Sequence, residues 1–303
     1  MGMKKYDHPF LGEVRTHEDT LLIPLKWTKP RTIFVNSMSD LFHADVPFDF
    51  IDKVFAIMSM SSRHTYIIAT KRPERAAEYF ASKTRKWSVW QEAVILEGKS
   101  DHEFNWPLPN VWMLTSVEDQ KTAAQRIPYL LQCDAVVKGI SAEPLLGPID
   151  LTNLDCDGAG HPDYCQINAL TGVQTDMARP CRDVPKLNWV IAGGESGIKS
   201  GVRPPNPEWF ASLRDQCASA GVAFFFKQWG QWAPVEVASL LTSPENDLLK
   251  VFDWSFVLAD GRYTKTPQLS DLENKIFSVM YRVGKHNSGN ELEGEQHLQY
   301  PQI

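Results

Sequence analysis

The sequence predicts an α/β protein built on parallel strands, in the form of a partial (β/α) barrel. Two observations lead there. Six apolar runs of strand length each end in a packet of polar and charged residues, and segments of helical period lie between them. Parallel strands need such crossovers, and α/β folds place reactive groups at the carboxyl ends of their strands. An open doubly wound sheet shares these features. The barrel is favoured because all six tips carry polar chemistry, whereas an open sheet gathers its ligand contacts at one switch point. No G-x-G-x-x-G or G-x-x-x-x-G-K-[ST] string argues for the alternative.

Taken in order, Thr32 to Val35 leads into Asn36, Ser37 and Asp40. A stripe of Phe50, Ile51, Val54, Phe55 and Met58 follows at helical spacing. Tyr66 to Ala69 leads into Thr70, Lys71 and Arg72, and Val111 to Leu114 into Thr115, Ser116, Glu118 and Asp119. Asp119 is placed to cap the next helix, whose apolar stripe is Ala123, Ile127, Leu130 and Leu131. Ala135 to Ile140 precedes Ser141 and Glu143, and Trp189 to Ala192 precedes Gly193, Gly194, Glu195 and Ser196. The plainest helix comes next: Asn206 is a good N-cap, Pro207 suits the first position, Trp209, Leu213 and Cys217 share a face, and Gly221 stops it. Ala223 to Phe226 then leads into Lys227 and Gln228. The tips are unevenly spaced, from 26 residues (Thr115 to Ser141) to 52 (Ser141 to Gly193), which excludes a solenoid of fixed repeat.

Residues 1–232 are expected to form the barrel, with 150–187 as an inserted, cysteine-containing loop, and 233–303 to form a covering extension. In that extension Asp260-Gly261 predicts a hairpin turn between Phe256–Leu258 and Arg262–Tyr263, and the polar end carries His286 and His297. At 303 residues and 43% hydrophobic the chain can bury a large core as one domain. A net charge of -6 leaves no overall footprint for nucleic acid. The strip Lys71, Arg72, Arg75, Lys83, Arg85 and Lys86 reads as a solvated helix face. With no apolar stretch of roughly 18 residues and no signal-peptide core, the expectation is a cytoplasmic protein that does not span a membrane.

The five cysteines are an odd set without a secretion signal, which argues against a disulfide framework. Cys133 and Cys217 sit in helical patterns as small core residues. Cys156, His161, Cys165 and Cys181 share the inserted loop and either supply four ligands to a structural zinc or hold free thiols; neither pair has the tight C-x2-C spacing of zinc ribbons.

At the tips, strand alternation puts Asn36 with Asp40, Ser141 with Glu143, and Gly193 with Glu195 on common faces. The small residues Gly139, Ser141 and Gly193 leave room for a ligand. Asp40, Glu118, Asp119, Glu143 and Glu195, with Lys71, Arg72 and Lys227, make a mixed-charge mouth suited to a ligand bearing both amino and carboxylate groups. Lys227 reads either as a Schiff-base lysine or as the partner of a neighbouring carboxylate.

The strings FVNSMSDLFH (Phe34 to His43), TKRPER (Thr70 to Arg75), SVEDQ (Ser116 to Gln120), SAEPLLGPIDL (Ser141 to Leu151), GGESG (Gly193 to Gly197) and FFKQWG (Phe225 to Gly230) resemble one family. It is the bacteriophage and prophage family of unknown function named after gene products thirty-seven and sixty-eight, and the resemblance spans Trp27 to Trp232. That family in turn resembles radical S-adenosylmethionine enzymes, whose partial (β/α)6, TIM-like barrel holds an iron–sulfur cluster and the cosubstrate at the strand carboxyl ends. The resemblance implies a cavity lined by Asn36, Ser37, Asp40, Thr70, Ser116, Ser141, Gly193, Gly194, Glu195 and Ser196 for S-adenosylmethionine. It leaves Lys71, Glu118, Glu143 and Lys227 as the candidates for chemistry, with a nucleic acid or nucleotide as a fitting substrate. The family's closely spaced cysteines have no counterpart here, because no cysteine precedes Cys133. The cluster-binding loop and first barrel strand are therefore expected to be missing from the chain as written, and radical chemistry with them. A carboxylate- or metal-dependent barrel hydrolase or lyase, and a non-catalytic binding module of phage descent, are the other two readings.

Overall fold

A computed structural model describes residues 14–98, 101–155, 165–176, 179–197, 201–266 and 277–302. In chain order the elements are α1 (Glu18–Leu21), β1 (Thr32–Val35), α2 (Phe48–Met60), β2 (Thr65–Thr70), α3 (Pro73–Ala81), α4 (Arg85–Glu97), β3 (Val111–Ser116), α5 (Gln120–Gln132) and β4 (Val137–Ala142). Four short strands follow, β5 (Leu154–Asp155), β6 (Cys165–Asn168), β7 (Val173–Asp176) and β8 (Arg179–Asp183), and then β9 (Trp189–Gly193), α6 (Pro207–Ala220) and β10 (Ala223–Gln228). The remainder holds β11 (Trp232–Pro234), α7 (Val235–Ser239), α8 (Leu248–Val251), β12 (Trp254–Leu258), β13 (Tyr263–Thr264), β14 (Phe277–Arg282), β15 (Glu291–Leu292) and β16 (Glu295–Gln296).

All six expected strands are present and form one parallel sheet, in the order β1-β2-β3-β4-β9-β10, curled into a half barrel. Its outer face carries Tyr66, Ile68, Val111, Met113, Ile140, Val190, Phe224 and Phe226 into one large core. There they meet the predicted helical stripes: Ile51, Val54, Phe55 and Met58 of α2, Ile127 and Leu130 of α5, and Trp209, Leu213 and Cys217 of α6. Cys133 and Cys217 are core residues as expected, and burial pushes both thiols up to about 12, which leaves them unreactive. The inner face is thinner. Ile67, Trp112, Leu114, Val137 and Trp189 pack there with Ala69, Ile191, Ala223 and Phe225.

Between β4 and β9 the crossover holds no helix among the described residues. The segment expected to be a loop is a four-stranded antiparallel meander, β5 to β8. Leu154, Ile167, Ala169 and Leu170 bury themselves in the main core, so the meander covers the sheet where a helix otherwise would. The Gln216 amide of α6 fastens it, accepting from Leu151 N at 2.8 Å and donating to Ile149 O at 2.9 Å. Of the zinc ligands suggested by the sequence, Cys156 and His161 lie outside the described residues. Cys165 is disulfide-bonded, so its sulfur is spent on that bond rather than on a metal, and Cys181 is an exposed free thiol.

The extension forms a second antiparallel sheet, β11-β14-β12-β13. The predicted turn is present, with Leu258 N donating to Arg262 O at 2.8 Å and Gly261 at φ 91°. Beyond it the tail returns to the barrel. Phe226 N donates to His297 O at 2.8 Å, Gln299 N to Phe224 O at 3.1 Å, and Trp189 Nε1 to Gln299 O at 2.9 Å. The Tyr300 ring packs on Trp189 and Phe225, at the end of the sheet away from the polar tips. This tail covers the outer edge of β10, which would otherwise offer unpaired backbone groups.

The basic strip is not a solvated face throughout. Arg85 is buried, donating through Nη1 to both oxygens of Asp52 at 2.9 Å, and its guanidinium lies 4.1 Å from the centre of the Tyr79 ring. Tyr79 donates to Asp52 Oδ1 at 2.8 Å, so one carboxylate joins α2, α3 and α4. Burial pushes the Asp52 carboxyl up, while the bonds from Tyr79 and Arg85 hold it back. Removing one partner of a buried pair strands the other charge. Arg85→Met is expected to lower unfolding free energy by about 3–5 kcal/mol. Asp52→Asn with Arg85→Met together should recover part of that loss, and denaturant melts of the parent and the two variants check it.

Candidate functional site

The polar tips meet at the carboxyl end of the half barrel, and their charges are almost wholly engaged with one another. Asp40, at the end of the β1 tip, is the most tightly held. Its Oδ1 accepts from Phe42 N (2.9 Å) and the Thr70 hydroxyl (2.8 Å), and its Oδ2 from Lys71 N (2.9 Å) and Arg72 Nη1 (3.1 Å). Glu118 is shared by Lys71 Nζ at 2.6 Å and Arg126 Nη1 at 2.8 Å. Glu143 accepts from Lys227 Nζ at 2.8 Å and from Gln228 Nε2 at 3.3 Å. Asp119 forms a capping box with Thr122, as its position before α5 predicts.

Glu195 is clamped by Arg203, through Nη2 at 2.6 Å, Nε at 3.0 Å and the backbone N–H at 2.7 Å. The Arg203 guanidinium holds its carboxyl below the ordinary value of 4.5. Neither Arg126 nor Arg203 stands out in the sequence. Each follows its acidic partner by eight residues, a separation that carries no periodic signal.

The glycines of the β9 tip serve close packing. A Cβ on Gly193 would come within 3.3 Å of the Glu143 carboxyl carbon, so the Glu143 side chain crosses β9 there to reach Lys227 on β10. A Cβ on Gly194 would lie 1.9 Å from the Trp229 carbonyl oxygen. The backbones are joined at this approach: Gly194 N donates to Gln228 O at 2.8 Å and Gln231 N to Glu195 O at 2.9 Å. Gly139 likewise gives its space to the Trp189 carbonyl oxygen, which a Cβ would meet at 2.7 Å.

Thr70 does not line the mouth. It is buried on the outer face, two residues beyond Ile68, and its hydroxyl supports Asp40 and Arg72 N. Asn36, at φ 56°, and Ser37 are exposed at the edge strand, beside Phe34 and Met38, which are 53% and 76% exposed. The inner face itself presents a row in register across four strands: Ser116, Ser141, Ile191 and Phe225. Neither serine hydroxyl has a hydrogen-bond partner among the described residues. Deeper in the same column Trp112 is buried with its Nε1–H unpartnered. Ser196 receives a hydrogen bond from Gln228 Nε2 at 3.0 Å, so one amide bridges it to Glu143.

This arrangement offers neutral hydroxyls and apolar surface in the trough, with half-exposed lysines on paired carboxylates at its rim. Among the described residues no group of three or more His, Cys, Asp or Glu could hold a metal ion.

Two outcomes follow from the packing and the charges. Gly194→Ala forces the β9 and β10 tips apart against backbone, and thermal melts should show a loss of more than about 2 kcal/mol. Glu195 has a depressed folded-state pKa, so its contribution is present above the ordinary 4.5 and is lost as pH falls through the lower folded value. Arg203→Ala should therefore be less stable than the parent at neutral pH, with the gap closing below pH about 4 in denaturant melts.

No curated protein and no solved structure matches the chain. No described helix is long and apolar enough to cross a membrane. Comparison with protein families matches residues 1–301 to a family described as a protein of unknown function, DUF5131. A match of that extent takes in the half barrel, its polar tips and the extension together, and the chain belongs to the DUF5131 family.

Proposed function

We propose that this protein is a ligand-binding half barrel of the radical S-adenosylmethionine type, taking S-adenosylmethionine as a small-molecule cosubstrate at the inner mouth. The observation that supports this most is the row Ser116, Ser141, Ile191 and Phe225 lying beneath the Lys71–Glu118 and Lys227–Glu143 pairs. A ligand with a flat nucleoside and a zwitterionic amino-acid end matches apolar surface below and paired charges above. The partly exposed Ser116 and Ser141 hydroxyls supply hydrogen bonds for a ribose.

An iron–sulfur cluster does not fit the described mouth. Clusters are held by thiolates, and among the described residues no cysteine stands at a strand tip: Cys133 follows α5, Cys217 is inside α6, Cys165 is in a disulfide and Cys181 lies on β8. What the chain's own residues do is bind and orient. The phage-family resemblance adds a nucleotide or nucleic acid as the second substrate.

A carboxylate-driven hydrolase or lyase would need an acid free to exchange a proton, and Asp40, Glu118, Asp119, Glu143 and Glu195 are all engaged. That engagement weighs against the second reading.

Calorimetry of the purified chain with S-adenosylmethionine tests the proposal, with S-adenosylhomocysteine and adenosine as comparisons. Binding is expected for the first two, and Ser141→Trp, which fills the row, should weaken it by about tenfold or more, or 1.4 kcal/mol. Ser116→Ala should weaken it less. If the parent protein takes up none of these compounds, or Ser141→Trp binds as well as the parent, the reading is wrong.

A further inference from the structure

Beside the mouth lies a second concavity of about 610 Å³, lined by Ser196, Gly197, Gln231, Arg282, Gly284, Lys285, His286 and Asn287. Among the described residues no carboxylate lines it. In a chain of net charge -6, the basic side chains Arg282, Lys285 and His286 line one cleft. Lys285 and His286 are exposed, and neither side chain has a hydrogen bond or ion pair among the described residues. Glu195, next to Ser196 in the chain, is already paired with Arg203.

The cleft is also built, rather than being a loose surface. Gly284 takes φ 83° and donates its N–H to Gln231 O at 3.0 Å, which fixes the turn after β14 against the segment after β10. Gln231 N in turn donates to Glu195 O at 2.9 Å, and its side chain donates to Gly197 O. The Asn287 amide donates to Val283 O at 3.0 Å and Ser288 Oγ to Lys285 O at 3.1 Å, holding the basic turn in shape. Ser196 stands on the opposite wall, one hydrogen bond from Gln228, which also reaches Glu143.

The geometry points to a phosphate-binding cleft at Ser196, Arg282, Lys285 and His286, adjoining the mouth and receiving the phosphate of a nucleotide-type substrate whose remainder extends toward Glu143 and Lys227. Basic groups, a serine hydroxyl and an amide at one concavity are the donors that bind phosphate oxygens. A larger cavity, about 670 Å³ between Asn168–Thr171 and α6, has Glu208 and Asp215 in its walls and suits no anion. The inference deepens the proposed function by naming a substrate group. It rests on that reading only for the direction in which the substrate extends.

The test is calorimetric titration of the full chain with inorganic pyrophosphate, adenosine diphosphate and a short single-stranded oligothymidylate. Pyrophosphate binding is expected, and the double variant K285A/H286A should weaken it by about tenfold or more. K83A/K86A, on the basic strip far along the chain, serves as the control and should bind as the parent does. Both pairs lie on the surface, so circular dichroism should show unchanged folding. Adenosine diphosphate binding more tightly than the oligothymidylate assigns the cleft to a free nucleotide, and the reverse order assigns it to a strand; both support a phosphate site. S-adenosylmethionine carries no phosphate, so its affinity should be the same in K285A/H286A, which separates failure of the cleft from failure of the mouth. No uptake of any phosphate probe at millimolar concentration, or equal losses in the two double variants, overturns the inference.

Discussion

Asp40 accepts four hydrogen bonds, from its own turn, from β2 and from the start of α3, and the rest of the mouth repeats that arrangement in lighter form. The carboxylates at the strand tips sink into the protein while their lysine partners stay half in water: the side chains of Glu118 and Glu143 are 13% and 20% exposed, against 55% for Lys71 and 51% for Lys227. Ion pairs with one partner in solvent contribute only about 0–1 kcal/mol each. Their value is positional. Parallel strands that end in acids at close spacing would repel one another, and pairing each acid with a neighbour's cation lets the tips converge.

Once the charges are matched among themselves, the chemistry left for a ligand is neutral. Among the described residues, the unpartnered and partly exposed groups on the inner face are the Ser116 and Ser141 hydroxyls, set among Leu114, Ile191 and Phe225. An amphipathic ligand can use such a surface without breaking an ion pair. It can also exchange contacts with Lys71 or Lys227, because those ammonium groups are exposed enough to swing between two anions. The meander and the returning tail leave this face open at the tips: one covers the outer core, and the other packs Tyr300 against the far end of the trough.

Much of this is legible in the sequence, for physical reasons. Apolar runs such as Val111 to Leu114 are buried on both faces, which is what makes a parallel strand read as a continuous hydrophobic block. Asn206, Pro207 and Gly221 each answer a local backbone need, so they mark the ends of α6 within a residue. The meander is not legible, because strands of two to five residues with polar outer faces carry too little alternation to stand out from a loop. Arg85 misleads for a related reason. A single arginine in a basic stretch gives no sign that Asp52, on another helix, will draw it inside. At the tips the residue types are plain and their partners are hidden, since Arg126 and Arg203 meet their acids only through the fold.

The glycine pair at the end of β9 shows why partners matter to function. A Gly-Gly tip invites the reading that backbone is bared for a ligand, yet here the space beside each glycine is occupied. Strands flanking a common neighbour stand about 9–10 Å apart, which is far for a glutamate and a lysine to bridge over an intervening side chain. At Gly193 there is no side chain, so Glu143 and Lys227 meet across β9. At Gly194 the missing Cβ lets the β9 and β10 tips bond backbone to backbone. The two glycines thus tie β4, β9 and β10 at their carboxyl ends and set the curl on that side of the half barrel. Ser196 and Glu195 follow directly from this tie, so their positions at the cleft and against Arg203 are fixed by it. In the proposed binding, contact at this tip therefore falls to the side chains just beyond the glycines, and the glycines act by holding them in place.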